Sequence, residues 1–247
     1  MKVQKTTLVM AGTREAHGLV TALLARGRYV VASLPEPERM FGPLPVQTRV
    51  GSFKDAADFE AWVHAQHVGT VIDASHSFDD DVSKNVGLVC QRLDLRYLRV
   101  LRAPWSVTPL DRWQDVASVR DAAKAIPEGA RAFTNTGWAS LPDYVDFKGA
   151  ALFMRQTHPS QVRPPLDFVT FVEGAPPFSQ FQEQTLFEDL RITHLICRNV
   201  GGAASMSKLL AARSMQMPVM MIARPPTPAD YQVVETVAEA MAWEANP

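Results

Sequence analysis

Short unbroken apolar runs alternate along the chain with longer stretches in which apolar residues recur at three and four positions. The run at residues 6–10 gives way to Ala16, Leu19, Val20, Leu23 and Leu24, a spacing that predicts a helix closing at Gly27. Val30, Val31 and Ala32 are consecutive rather than alternating with polar residues, so 29–34 predicts a strand covered on both faces. The same rhythm predicts a strand at 46–50, a helix at 55–66, a strand at 70–73, a helix at 80–93 and a strand at 96–101. Strands and helices taking turns, with no wet face on the strands, imply a parallel sheet flanked by helices.

The rhythm breaks over 102–112, where Pro104, Trp105 and Pro109 fall, with Trp113 just beyond. That stretch reads as a crossing between domains. A second series follows: a helix at 116–125 and strands at 130–134, 150–154 and 168–172, the last two separated by a loop with Pro159, Pro164 and Pro165. Then come a helix at 181–189, a strand at 194–197, a helix at 203–214, a strand at 218–222 and a last helix at 229–243. The expected fold class is α/β, with two Rossmann-like parallel-sheet domains, 1–103 and 104–247, flanking a cleft.

Composition narrows the function classes. The 247 residues suit one large or two modest domains, and 47% hydrophobic against 21% charged residues is too apolar for a disordered chain. Lys and Arg number 25 against 26 Asp and Glu, so no basic excess points to a nucleic-acid partner. No apolar run approaches the roughly 18–20 residues of a membrane span, and Met1-Lys2-Val3-Gln4-Lys5 leads into a strand rather than a signal-peptide core. Cys90 and Cys197 stand far apart in apolar surroundings and read as buried free thiols. His64 and His67 lack a carboxylate cluster, so no metal is expected. The expectation is a cytoplasmic protein without nucleic-acid or membrane partners.

Three strand ends carry candidate chemistry. Ala11-Gly12-Thr13-Arg14-Glu15-Ala16 joins the first strand to the first helix, where small residues and free helix N–H groups suit a phosphate. The full G-x-G-x-x-G fingerprint is absent, because Arg14 and His17 occupy its later positions, and a packing turn is the competing reading. Glu36 or Glu38 could meet a ribose, or stand as solvated charge. Asp73-Ala74-Ser75-His76-Ser77-Phe78 lies at the carboxyl end of a buried strand, the edge where open α/β sheets bind ligands, and His76 can move a proton. Arg198-Asn199-Val200-Gly201-Gly202-Ala203-Ala204 repeats the arrangement in the second half, ahead of a helix with Lys208 and Arg213, against the competing reading of a tight loop. Tyr144 and Lys148 share the spacing of short-chain dehydrogenases, but Pro142 and Gly149 bracket them too closely for the helix that pair needs.

Taken in order, these segments resemble the precorrin-6A reductase family of cobalamin biosynthesis. The opening turn resembles that family's G-G-T-x-E-A, Asp73 to Phe78 its D-A-T-H-P-F, and Arg102-Ala103-Pro104-Trp105 its R-P-x-W. Arg198-Asn199-Val200-Gly201-Gly202, Lys208, Ala211-Ala212-Arg213, Pro218-Val219 and Arg224-Pro225 are similar to its K-N-S-G-G…K-x-x-A-A-R…P-V…R-P ending. Departures are Trp138 and Ala175, each in place of a family arginine. The resemblance implies hydride transfer from NADPH, with NADH the alternative, to the precorrin-6A macrocycle, giving precorrin-6B. It implies a nicotinamide-binding turn in the N-terminal domain and a substrate side in the C-terminal one. Gly12, Thr13, Arg14, Glu15, Arg39 and Ser77 would bind the cofactor, His76 and Ser75 would serve catalysis, and Arg102, Trp105, Arg198, Asn199, Gly201, Gly202, Lys208 and Arg213 would hold the substrate, with Arg155 a further cation and Trp138 an apolar wall. Hand-over of the tetrapyrrole from neighbouring pathway enzymes would fit. The competing class, prompted by Trp138 and Ala175, is a non-catalytic nucleotide- or tetrapyrrole-binding homologue.

Overall fold

A computed structural model describes residues 5–36, 42–157 and 162–246. In chain order the elements are β1 (Thr6–Met10), α1 (Arg14–Ala25), β2 (Val30–Leu34), β3 (Gln47–Val50), α2 (Ala56–Ala65), β4 (Val68–Asp73), α3 (Asp80–Arg92) and β5 (Arg96–Val100). Then follow β6 (Trp113–Val116), α4 (Val119–Ala125), β7 (Arg131–Thr134), β8 (Ala151–Gln156), β9 (Val169–Glu173), α5 (Gln180–Asp189), β10 (His194–Arg198), α6 (Ser207–Ser214) and β11 (Val219–Ile222), and finally β12 (Val233–Val234) and α7 (Val237–Ala245). Two 3-10 turns, Trp138–Tyr144 and Ala203–Ser205, complete the second half. The expected helix over 203–214 therefore starts with a 3-10 turn, one residue after the left-handed glycines Gly201 (φ +71°) and Gly202 (φ +79°).

The chain forms two compact units, Met1–Ala103 with Pro225–Pro247, and Pro104–Arg224. Each holds one six-stranded sheet whose pairings are all parallel, in the orders β12-β5-β4-β1-β2-β3 and β6-β11-β10-β7-β8-β9. In both sheets two strands run out to one side of β1 or β7, and the next two, with the sixth strand beyond them, to the other, the Rossmann order with its switch point beside β1 or β7. The α/β class and the doubly wound sheets are as the sequence implies.

The sixth strand of each sheet is the departure. β6 follows β5 along the chain but pairs with β11, while β12 follows β11 but pairs with β5. The second domain, expected to run to residue 247, therefore ends at Arg224, and the last segment returns to the first unit. Physical causes are evident: β12 completes the open edge of β5, and Ala240 and Met241 of α7 bury their side chains in the apolar layer of α1. The two exchanged segments also look alike. Val116-Ala117-Ser118-Val119-Arg120-Asp121-Ala122 matches Val234-Glu235-Thr236-Val237-Ala238-Glu239-Ala240, and Ser118 and Thr236 each cap a helix by accepting from the N–H of the acid three residues on.

The first unit's sheet is covered on both faces. Val9, Leu19, Val20, Leu23, Ile72 and Leu98 form one layer under α1 and α7, and Leu8, Val31, Phe59, Val63, Val71 and Val89 form the other under α2 and α3. Cys90 and Cys197 are buried and free, and burial, with Asp73 nearby, pushes the Cys90 thiol up to about 12. Among the described residues no group of side chains could hold a metal ion, and no helix is long and apolar enough to cross a membrane.

Candidate functional site

The switch point of the first unit lies between β1 and β4, and two loops meet there. Gly12 adopts φ +147°, and a Cβ placed on it would stand 3.3 Å from the His76 backbone nitrogen. Only glycine lets the turn and the 73–78 loop approach this closely. Thr13 is the N-cap of α1, yet its hydroxyl does not cap; it donates to the Ala74 carbonyl at 2.7 Å, tying the loops together. The first turn of α1 therefore has no side-chain cap at its N–H groups.

The 73–78 loop is held from beneath. Arg99 on β5 is the register partner of Asp73, and their side chains are 4% and 0% exposed. The guanidinium donates to Asp73 Oδ1 at 2.8 Å, to the Asp73 and Ser75 carbonyls at 3.1 and 3.2 Å, to Ser75 Oγ at 3.1 Å and to the His76 carbonyl at 3.2 Å. Asp73 also accepts from the Ser75 N–H and from the Tyr97 hydroxyl at 3.0 and 2.9 Å. Burial first, and then the Asp73 charge, drive the Tyr97 phenol far above its ordinary range, so it stays a donor.

Of the three loop residues expected to serve catalysis or the cofactor, Ser75, His76 and Ser77, only His76 is not buried. Ser75 is buried, with its hydroxyl shared between Arg99 and, at 3.4 Å, Ser83. Ser77 is buried and lines a small pocket with Asp80, Ser83, Arg99, Thr227 and Tyr231. His76 is half-buried, and its Nδ1 accepts the Phe78 N–H at 3.3 Å. In the neutral ring that assignment puts the proton on Nε2. Arg14 is exposed. Glu15 pairs with Arg102 at 3.4 Å, so two residues expected to hold different ligands hold each other. Arg39 and Glu38 lie outside the described residues.

In the second unit the loop after β10 is a closed assembly. Trp105 N–H donates to Asn199 Oδ1 and Asn199 Nδ2 to the Trp105 carbonyl, at 2.8 and 2.9 Å, while the indole N–H donates to the Gly202 carbonyl at 2.9 Å. Lys208 is buried, donates to the Ser205 carbonyl and stands 5.5 Å from the Trp105 ring. Arg213 forks onto Asp111 at 2.9 and 3.1 Å, and Arg155 onto Glu183 at 2.8 and 2.9 Å. These residues bind one another and the unit's own backbone; Arg198, at the end of β10, is half-buried. Trp138 is 41% exposed and packs on Phe171. Tyr144 is fully buried and bonded to Thr134 and Thr136, while Lys148 is exposed, so they form no catalytic pair.

Sequence reasoning missed Arg99, Tyr97 and Tyr231. One signal was available: Asp73 ends an apolar strand, a buried carboxylate requires a cation, and Arg99 interrupts the next strand.

Comparison with known proteins bears on the fold and the family. The chain is 33% identical over 241 residues to the precorrin-6A reductase of Rhodococcus erythropolis, covering 96% of both chains. It is 32% identical over 240 residues to that of Rhodobacter capsulatus, covering 97% of this chain and 95% of the other. A solved structure, CobK precorrin-6A reductase, superposes with a TM-score of 0.89 at 31% identity, covering 98% and 96%. The model of the precorrin-6x reductase family, CbiJ/CobK, matches residues 6–245, and the chain belongs to that family.

Proposed function

We propose that the protein is a precorrin-6A reductase of cobalamin biosynthesis, adding a hydride from NADPH and a proton from the medium to the macrocycle to give precorrin-6B. The observation that carries the reading is the meeting of the Gly12 turn with the His76 loop at the β1/β4 switch point. The residues there fit a dinucleotide: a cradle that a Cβ would fill and an uncapped helix N-terminus for a pyrophosphate. Gly12, Thr13 and the first turn of α1 would hold the phosphates through backbone N–H groups. The dihydronicotinamide, when bound, supplies the hydride.

The protein's own part is placement and proton handling. Hydride addition leaves the conjugated ring one proton short of product. His76 is the residue we assign to deliver it: as the imidazolium, charged from the medium, it gives up one proton and returns to the neutral ring, whose Nδ1 accepts the Phe78 N–H. Ser75 and Ser77 act through the loop rather than as donors, since both are buried. On the second unit Arg198 is the cation assigned to a substrate carboxylate, with Trp138 and Phe171 as apolar surface. Trp105, Asn199, Gly202 and Lys208 shape that strand end, and Arg213 anchors its helix.

Anaerobic incubation of precorrin-6A with NADPH or NADH, followed by absorbance for loss of conjugation, tests the reading. Turnover with NADPH is expected. No loss of conjugation with either nicotinamide would overturn it, and equal use of both would remove the assigned preference.

A further inference from the structure

We infer that Arg99 is a positioning residue for this reduction, fixing the loop that carries His76; the inference rests on the reading of that loop as the proton-delivering one. The five hydrogen bonds of its guanidinium all end on Asp73, Ser75 and His76. Three of the acceptors are main-chain carbonyls, those of Asp73 at the end of β4 and of Ser75 and His76 in the loop beyond it. A planar guanidinium can gather several acceptors at fixed angles, which the single ammonium of a lysine cannot.

A buried ion pair contributes little net stability against an apolar pair of the same volume, so its presence here calls for another use. Geometry supplies one. The His76 backbone stands 3.3 Å from where a Gly12 Cβ would be, and Thr13 ties the turn to the Ala74 carbonyl. The loop is therefore fixed on one side by the turn assigned to the dinucleotide and on the other by Arg99. Tyr97 completes the hold by binding the second oxygen of Asp73, and packs edge-on against Tyr231 at 5.0 Å. The same cation thus sets where the imidazole stands relative to the Gly12 turn.

The test compares Asp73→Asn/Arg99→Gln, which removes both charges at nearly constant volume, with Arg99→Lys, which keeps the charge and loses the fork. Amide hydrogen exchange, NADPH affinity by nicotinamide fluorescence, and kcat and KM for precorrin-6A are measured on the full chain. Expected are at least tenfold faster exchange at 73–78 with β1 still protected, and a kcat lowered by about 10–100-fold, the scale of a misplaced reacting group. NADPH Kd and the precorrin KM should stay within about threefold, and Arg99→Lys should recover part of kcat. Unchanged exchange at 73–78, a kcat within about twofold of the parent, or equal losses in kcat and NADPH affinity that track melting temperature would overturn the inference. Where the double variant fails to fold, Arg99→Lys carries the same measurements. A parent inactive with both nicotinamides would sink the functional reading, while hydrogen exchange would still decide the clamp.

Discussion

A glycine and a tryptophan show how much a single side chain decides here. Gly12 has both a positive φ and a backbone neighbour at Cβ distance, so Gly12→Val should cost about 1–3 kcal/mol locally and push the turn off the 73–78 loop. The expected result is an NADPH Kd raised at least tenfold, by calorimetry, with far-UV circular dichroism unchanged; unchanged affinity would remove the turn from the cofactor site. Trp105 was expected to wall the substrate, but its indole N–H and backbone are occupied by Gly202 and Asn199. Trp105→Phe should lower stability by about 1 kcal/mol, read as a melting-temperature shift, from the lost bond to Gly202. The sequence exposed Gly12, Asp73 and His76 because each ends or follows an apolar run. Arg99 stayed hidden because its partners lie more than twenty residues away across a strand pairing, and pairing is not written along the chain.

Among the elements, α6 is anchored to the loop before β6 by Arg213 and Asp111. Burial works to raise the Asp111 carboxyl, but hydrogen bonds from Arg213 and Thr108 outweigh it and hold the carboxyl below its ordinary value. A lowered folded pKa stabilises at pH above the unfolded value and is lost as pH falls through the folded one. Melting temperature should therefore drop on acidification below about pH 4 more steeply in the parent than in Asp111→Asn. Parallel slopes would mean that the pair contributes nothing to the pH dependence. Arg213→Ala, first expected to weaken substrate binding, should instead destabilise by about 1.5–3 kcal/mol, measured by urea unfolding. Most elements were legible because strands covered on both faces read as unbroken apolar runs. β6 and β12 were not: Trp113-Gln114-Asp115-Val116 is half polar, and β12 is two residues long, as edge strands can be. The helix predicted from 229 starts at Val237, behind the Thr236 capping box, because β12 occupies the residues before it.

For the molecule as a whole, the first sheet takes its last strand, β12, from chain that follows the whole of the second unit, 104–224. Ending the chain at Arg224 would strip β12 and α7 from the first unit and expose the face of α1 that Ala240 and Met241 cover, Met241 alone costing about 2 kcal/mol. Such a truncation should lose the first unit's protection in hydrogen exchange while the second unit, 104–224, keeps its own. Full protection of both would show the terminal segment to be dispensable.

That wiring reverses the usual order of events on the ribosome, where N-terminal domains generally finish first. When Arg224 leaves the exit tunnel, every strand of the second sheet has been made, whereas the first sheet still lacks β12. The domain synthesised first is thus completed last. Stalled nascent chains probed by proteolysis should show the 104–224 core resistant at lengths where 1–103 is still cleaved, and the unit that we assign to the nicotinamide should gain its cofactor affinity only once β12 and α7 have left the tunnel.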